Sequence, residues 1–377
     1  MYCLIYQWCA PFVASHSWRT IVLNAILLVF WMHISCAQNT VDPEQLQNAD
    51  DYLIGQFKVK DVIFLGEIHR IRENVDFAGK MIPVLHKNGI HLLFSEFARF
   101  KDTKRIDSLI TAKVFDKNLA LCIMFDNAWD WGYKEYVDLY YSAWKTNQSL
   151  KPNEKPFRII GIEQYDNEGT GIYDQEQFWT YLIDSIGIKK GEKVLVYCGM
   201  HHAFTNFHQP YLVNDTLKGF VSTRVGNWVY KKYPTKTITV LLHGPWYGSN
   251  YSKTVLPCNG KIDSLVNSLM NHTKGIGFST ANTRFDDYSL NNSLYGQGYM
   301  NAKLKDLCQG YIVVKPICEL NPVTVIPDFI NKSNIDETIK QAEFGSLTPK
   351  AFNDSISSWL FEYSTKSLNM LKKQFCR

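Results

Sequence analysis

Glu67 and His69 stand two residues apart just past the apolar run Asp61–Gly66. In an extended segment such residues point the same way. That sets a carboxylate beside an imidazole, the pairing that gives a general base its orientation and basicity. Taken alone, the pair reads equally well as a helix-capping acid beside a structural histidine. Three further segments end in the same fashion. His91–Ser95 meets Glu96, Arg158–Ile162 meets Glu163, and Lys193–Gly199 leads through Met200 into His201 and His202. A carboxylate at a buried strand end is costly unless paired or ligated. Each of these acids by itself is also readable as a cap or as a salt bridge to Arg70, Arg72 or Arg99, since ion-pair networks populate such edges. Four strand ends carrying them together point to one site assembled from separate stretches of chain.

Adjacent residues leave a turn in different directions, so one of His201 and His202 enters the site, and spacing does not say which. His243 follows a fifth apolar run, Thr237–Leu242, and is a peripheral member. His86, His91 and His208 read as ordinary polar or partly buried residues. Asp126, Asp130, Trp129 and Trp131 form a loop placed to wall a pocket, although an aromatic cluster is as readily packing.

The elements that position these groups follow from periodicity. Val-Ile-Phe-Leu-Gly (62–66) and Val-Leu-Val-Tyr-Cys-Gly (194–199) have the look of strands buried on both faces. Between the strands lie helical stretches at 42–57, 73–88, 132–146, 174–186, 217–233 and 261–272. Pro83 predicts a kink or a broken turn in the second of these. Leu217, Phe220, Val221, Trp228 and Val229 make the inward face expected of a helix over 217–233. Short strands near 275–279 and 311–315 and two C-terminal helices complete the chain. Alternation of this kind predicts an α/β fold, a mostly parallel sheet flanked by helices on both faces, with ligands bound beyond the C-terminal ends of the strands.

With 377 residues and 46% hydrophobic content the chain can bury one large core. Its net charge of +4 and the lack of any Lys/Arg run of five or more argue against a nucleic-acid partner. Arg19, the apolar run Ile21–Trp31 and the small residues Ser35-Cys36-Ala37 describe a secretory signal over residues 1–37. Residues 38–377 then form a single α/β domain with a C-terminal helical extension, exported to the periplasm, the outer membrane or the medium. A lipoprotein with Cys36 acylated, and so attached to a membrane, is the lesser reading. Removing Cys3, Cys9 and Cys36 leaves six of nine cysteines, an even number that permits disulfides. Cys308 and Cys318 could pair only if the chain doubles back.

Leu65-Gly66-Glu67-Ile68-His69, Ser95-Glu96, Gly161-Ile162-Glu163 and Cys198-Gly199-Met200-His201-His202-Ala203 resemble the erythromycin esterase/ChaN-like superfamily, which also takes in Tiki-type proteases and a domain of Pasteurella-type toxins. The likeness runs from about Asp61 to Lys315 and is nearest the exported ChaN-like branch. Arg70 stands where that branch often has an acid. The resemblance implies a Glu/His site at strand ends, in proteins that include water-activating hydrolases, metal-dependent proteases and a haem-binding lipoprotein. It implies His69 as the water-activating base with Glu67 orienting it, and Glu96 with His201 or His202 lining the opposite wall.

These readings converge on an exported hydrolase of ester or amide bonds acting on a small-molecule or peptide substrate. His69, Glu67, Glu96, Glu163 and His202 are its catalytic set, and Arg72, His201 and His243 contact substrate. No Gly-x-Ser-x-Gly elbow occurs, so direct attack by water is preferred to an acyl-enzyme. A metal-assisted variant places zinc or manganese on His69, Glu96 and one of the two adjacent histidines, His201 first with His202 as the alternative. The alternative is a haem or iron binder using His69, His202 or Tyr165.

Overall fold

Side-chain alternation along the strands decides which layer each residue joins. The computed structural model describes residues 46–164, 169–249, 253–269, 275–342, 365–366 and 368–376. Its strands are β1 (Gln47–Asn48), β2 (Val62–Glu67), β3 (Leu92–Arg99), β4 (Arg158–Glu163), β5 (Val194–Gly199), β6 (Gln209–Val213), β7 (Thr216–Val221), β8 (Thr237–Leu242), β9 (Trp246–Tyr247), β10 (Thr254–Val255), β11 (Ile276–Ser279) and β12 (Gly310–Val313). Eight of them form one sheet in the order β1-β11-β12-β8-β2-β5-β3-β4. The six from β12 to β4 run parallel, while at one edge β11 pairs antiparallel with β12 and β1 antiparallel with β11.

Ile63, Leu65, Leu93, Leu195 and Tyr197 pack into a buried cluster on one face, against the helices α2 (Arg72–Lys87), α3 (Thr103–Thr111), α4 (Lys117–Asn127) and α5 (Lys134–Gln148), with α1 (Ala49–Gln56) at the margin. Their neighbours Val62, Phe64, Leu92, Phe94, Val194 and Val196 face the other way, against α6 (Gln175–Leu182) and α7 (Val225–Lys232). This is the expected sheet with helices on both faces, and the strands are apolar throughout because neither face meets water. Parity also places Glu67: it continues the Ile63, Leu65 series and turns toward α5.

Several expectations are corrected. The stretch 217–233 is not one helix. Asn214 and Asp215 take φ of 49° and 59°, the two left-handed residues of a tight hairpin turn, and β6 and β7 pair across it. Only Val225–Lys232 is helical, and Leu217 and Phe220 lie partly exposed instead of inward. Helix α2 continues through Pro83 without a broken turn, one of the two outcomes expected there. Pro83 is on the exposed face, where a carbonyl left without its helical donor can be hydrated. Strand β3 extends past Ser95 to Arg99, and its register against β4 shifts between those residues. Glu96 therefore sits within a bulge and not beyond a strand end, and bulges re-aim side chains at such sites.

Cys318 pairs with Cys376, closing the C-terminal helix at 368–375 back onto the body, while Cys308 is free and buried. No helix among the described residues is long and apolar enough to cross a membrane. Residues 1–37, with Cys36, and Tyr165 lie outside the described residues.

Candidate functional site

Glu67 closes β2 and is 1% exposed. A carboxylate so placed needs donors, and three converge on it. His69 donates from Nδ1 to Oε1 at 2.9 Å, the Tyr136 hydroxyl to the same oxygen at 2.6 Å, and the Tyr197 hydroxyl to Oε2. Burial and the Glu67 charge hold both phenols well above the usual tyrosine range, so they remain protonated donors. Tyr136 comes from α5 and Tyr197 from β5, whose odd-numbered residues share the face that Glu67 takes.

Arg70 follows in a left-handed conformation, φ 67°. Its backbone N–H donates to the Tyr136 hydroxyl at 3.0 Å, and its guanidinium lies 3.9 Å from the centroid of the Trp131 ring. The Trp131 edge in turn meets the His69 ring, centroids 5.4 Å apart. Trp131 thus packs on both His69 and Arg70 without being among the residues that line the cavity those two border.

With Nδ1 committed to Glu67, the imidazole of His69 presents Nε2 to a cavity of about 280 Å³ lined by Glu67, His69, Arg70, Gly199, His201 and His202, with Ile68, Ile71, Met200, Pro245, Tyr247 and Leu368 as its less polar wall. Glu96 Oε1 stands 3.8 Å from that Nε2 and 3.9 Å from Nε2 of His202. Both gaps exceed a hydrogen bond, and one water or substrate oxygen can span them. Glu96 Oε2 is fixed by the Gly199 N–H at 2.6 Å. A Cβ on Gly199 would lie 2.8 Å from Cε1 and Nε2 of His69, so the glycine makes room for the ring.

His202 is the histidine that joins Glu96. Its Nδ1 donates to Glu176 at 2.8 Å, and Glu176 is further bound by Arg224 at 3.0 Å and the Val225 N–H at 2.7 Å. Burial works against a charged His202, but Glu96 and Glu176 outweigh it and raise its pKa. Glu176 is also buried, which works against its charge, yet His202 and Arg224 hold its carboxyl below the usual range. His201 lines the cavity but turns its nitrogens elsewhere. Gln209 donates to Nδ1 at 3.3 Å, and Nε2 donates to the Tyr295 hydroxyl at 3.0 Å. Burial, with the Arg224 charge adding to it, pushes His201 down to about 3 and keeps it neutral.

Glu163 closes β4 and receives Gln175 Nε2 on both oxygens, at 2.9 and 3.0 Å. Burial and then the Glu96 charge push its carboxyl up to about 7. Arg72 and His243, like Glu96 and Glu163, are not among the residues that line the cavity, and their ion pairs, unlike those of Glu96, reach neither His69 nor His202. The Nε of Arg72 lies 3.3 Å from Glu135 at the start of α5. His243 is fully buried, with Asp263 at 3.2 Å and the Tyr311 hydroxyl at 3.0 Å, which makes it an internal polar residue. His201 does not complete a metal set with His69 and Glu96, because its two nitrogens are engaged by Gln209 and Tyr295. Among the described residues no three His, Cys, Asp or Glu side chains are grouped to hold a metal ion. Cys198 is buried beside the site, and burial pushes its thiol well up, out of the range of a nucleophile at neutral pH.

Sequence reasoning missed Glu176, Tyr136 and Tyr197 as site residues. Tyr136 and Tyr197 read as apolar positions of a helix and a strand. Glu176 looked like any acid in a first helical turn, and nothing local set it apart.

No family model matches the chain, and no curated protein matches it. Among solved structures it is similar to a succinoglycan biosynthesis protein (TM-score 0.48, 9% identity, 73% of this chain and 91% of that one). It is also similar to an erythromycin esterase variant, EreC, in its open conformation (TM-score 0.46, 7% identity, 76% and 100%). A third likeness is to ChaN of Campylobacter jejuni, a structure with cofacially bound haem (TM-score 0.33, 13% identity, 51% and 85%). The chain spans 36% of the length of the bacterial protein toxins it also matches. Identities this low carry no residue roles across.

Proposed function

We propose that this chain hydrolyses ester or amide bonds, with His69 Nε2 deprotonating a water that attacks the carbonyl directly. The observation that carries the reading is the line Glu67–His69–Glu96. The buried carboxylate fixes the ring through Nδ1 at 2.9 Å, and the other nitrogen faces a second carboxylate across a gap of 3.8 Å, beside a cavity that His69 lines. Orientation of an imidazole by a carboxylate, with its free nitrogen aimed at open space, is what water activation asks for. We read the substrate as a small molecule or peptide, and the protein as exported, on the strength of Arg19, Ile21–Trp31 and Ser35-Cys36-Ala37.

The test is a screen of purified protein against ester and peptide substrates beside His69→Ala. Turnover in the wild type, lost in a variant with an unchanged circular dichroism spectrum, is the expected result. Full activity in that variant ends the reading. A Soret shift on adding haem, with no turnover of any substrate, would replace it with haem binding.

A further inference from the structure

The site holds two carboxylate–imidazole pairs, and the motif reading accounts for only one of them. Glu67 fixes Nδ1 of His69 at 2.9 Å, and Glu176 fixes Nδ1 of His202 at 2.8 Å. The two free Nε2 atoms then face the same oxygen, Glu96 Oε1, at 3.8 and 3.9 Å. From this convergence we propose that Glu176 is the positioning residue for His202, and that His202 donates the proton that the leaving group takes. The inference rests on the hydrolase reading above.

The proton count closes. Water gives a proton to His69 Nε2 as its oxygen bonds to the carbonyl carbon. The bond from that carbon to the leaving oxygen or nitrogen then breaks, and the leaving atom takes the proton from His202 Nε2. His69 ends protonated and His202 neutral. Glu96 Oε1 faces both nitrogens and returns the proton from one ring to the other. The second pair is built to keep His202 in place. Glu176 is held by Arg224 and by the Val225 N–H, and Arg224 also donates to Gln209 at 2.9 Å. The Trp179 ring packs on His202 with centroids 4.8 Å apart.

The experiment compares a 4-nitrophenyl ester, whose leaving group departs without a proton, with the alkyl ester of the same acid. Positioned acid catalysis contributes roughly 10²-fold or more. Glu176→Gln keeps an acceptor for Val225 and removes the charge behind His202. The expected result is a fall of about 10²-fold in kcat on the alkyl ester, a loss at least tenfold smaller on the aryl ester, and little change in KM. His202→Asn should show the same selectivity, and it carries the test if Glu176→Gln does not fold. Equal loss on both esters, or no loss on either, overturns the proposal. His69→Ala separates the two readings, because loss of the base removes turnover of both esters. A wild type inactive on both overturns the hydrolase reading and this proposal with it.

Discussion

The Tyr136 hydroxyl donates to Glu67 Oε1 at 2.6 Å while accepting from the backbone N–H of Arg70 at 3.0 Å. One phenol on α5 therefore holds both the acid that orients His69 and the left-handed residue that follows it. The turn that carries His69 is clamped from the helix layer, and its geometry depends on how that layer packs.

Tyr136→Phe removes this clamp and leaves Glu67 with one donor fewer in a buried position. A group so left costs about 1–3 kcal/mol. Urea unfolding should show a loss of that size, and turnover should fall with it. Unchanged stability would mean that the hydroxyl is replaced by water.

Gly199→Ala should fold and lose activity. The added methyl would lie 2.8 Å from two atoms of the His69 ring, and the ring is the part able to move. Misplacement of a reacting group by about 1 Å costs on the order of 10²-fold in rate. Wild-type kcat/KM in this variant would show that the ring position is not critical.

Stability should fall as pH rises from about 5 to about 8. Glu163 is pushed up to about 7 by burial and by Glu96, so the native state holds that proton more tightly than an unfolded chain with its carboxyl near 4.3. Its contribution is complete below the unfolded pKa and is lost as pH passes through about 7. The raised pKa of His202, where Glu96 and Glu176 outweigh burial, acts in the same direction. Thermal melts should show a declining Tm, and Glu163→Gln should flatten the decline. An equal slope in the variant would remove Glu163 as its source.

Cys376→Ser, or reduction, should destabilise the protein by about 2–4 kcal/mol, the usual worth of a cross-link closing a long loop. The bridge to Cys318 spans 58 residues. It ties down a helix whose Leu368 and Leu371 pack on Ile71, Ile317 and Leu320, and Leu368 reaches the cavity wall. Urea midpoints with and without reductant measure the effect, and KM should rise as the wall loosens. Identical midpoints would show that packing alone holds the helix.

Much of the frame is legible in the residues. Five buried apolar runs predict the parallel strands β2, β3, β4, β5 and β8, because a strand covered on both faces has no polar position to break its run. The helix over 217–233 misleads for a related reason. Leu217 and Phe220 match a helical spacing, yet Asn214 and Asp215 turn the chain back into a hairpin before the helix begins.

By itself the sequence determined that acids and histidines follow four apolar runs, since that is a matter of order along the chain, although Glu96 proved to lie within β3 and not at its end. It also set Glu67 and His69 two residues apart, although His69 falls in the turn after β2 and not in extended backbone. Only the tertiary structure decided that His202 and not His201 meets Glu96, that Glu176 stands behind His202, that Tyr136 and Tyr197 hold Glu67, and that Cys318 finds Cys376. Each of these is a contact between elements far apart in sequence. Such contacts are chosen by the packing of whole layers, and no short window of residues carries that information.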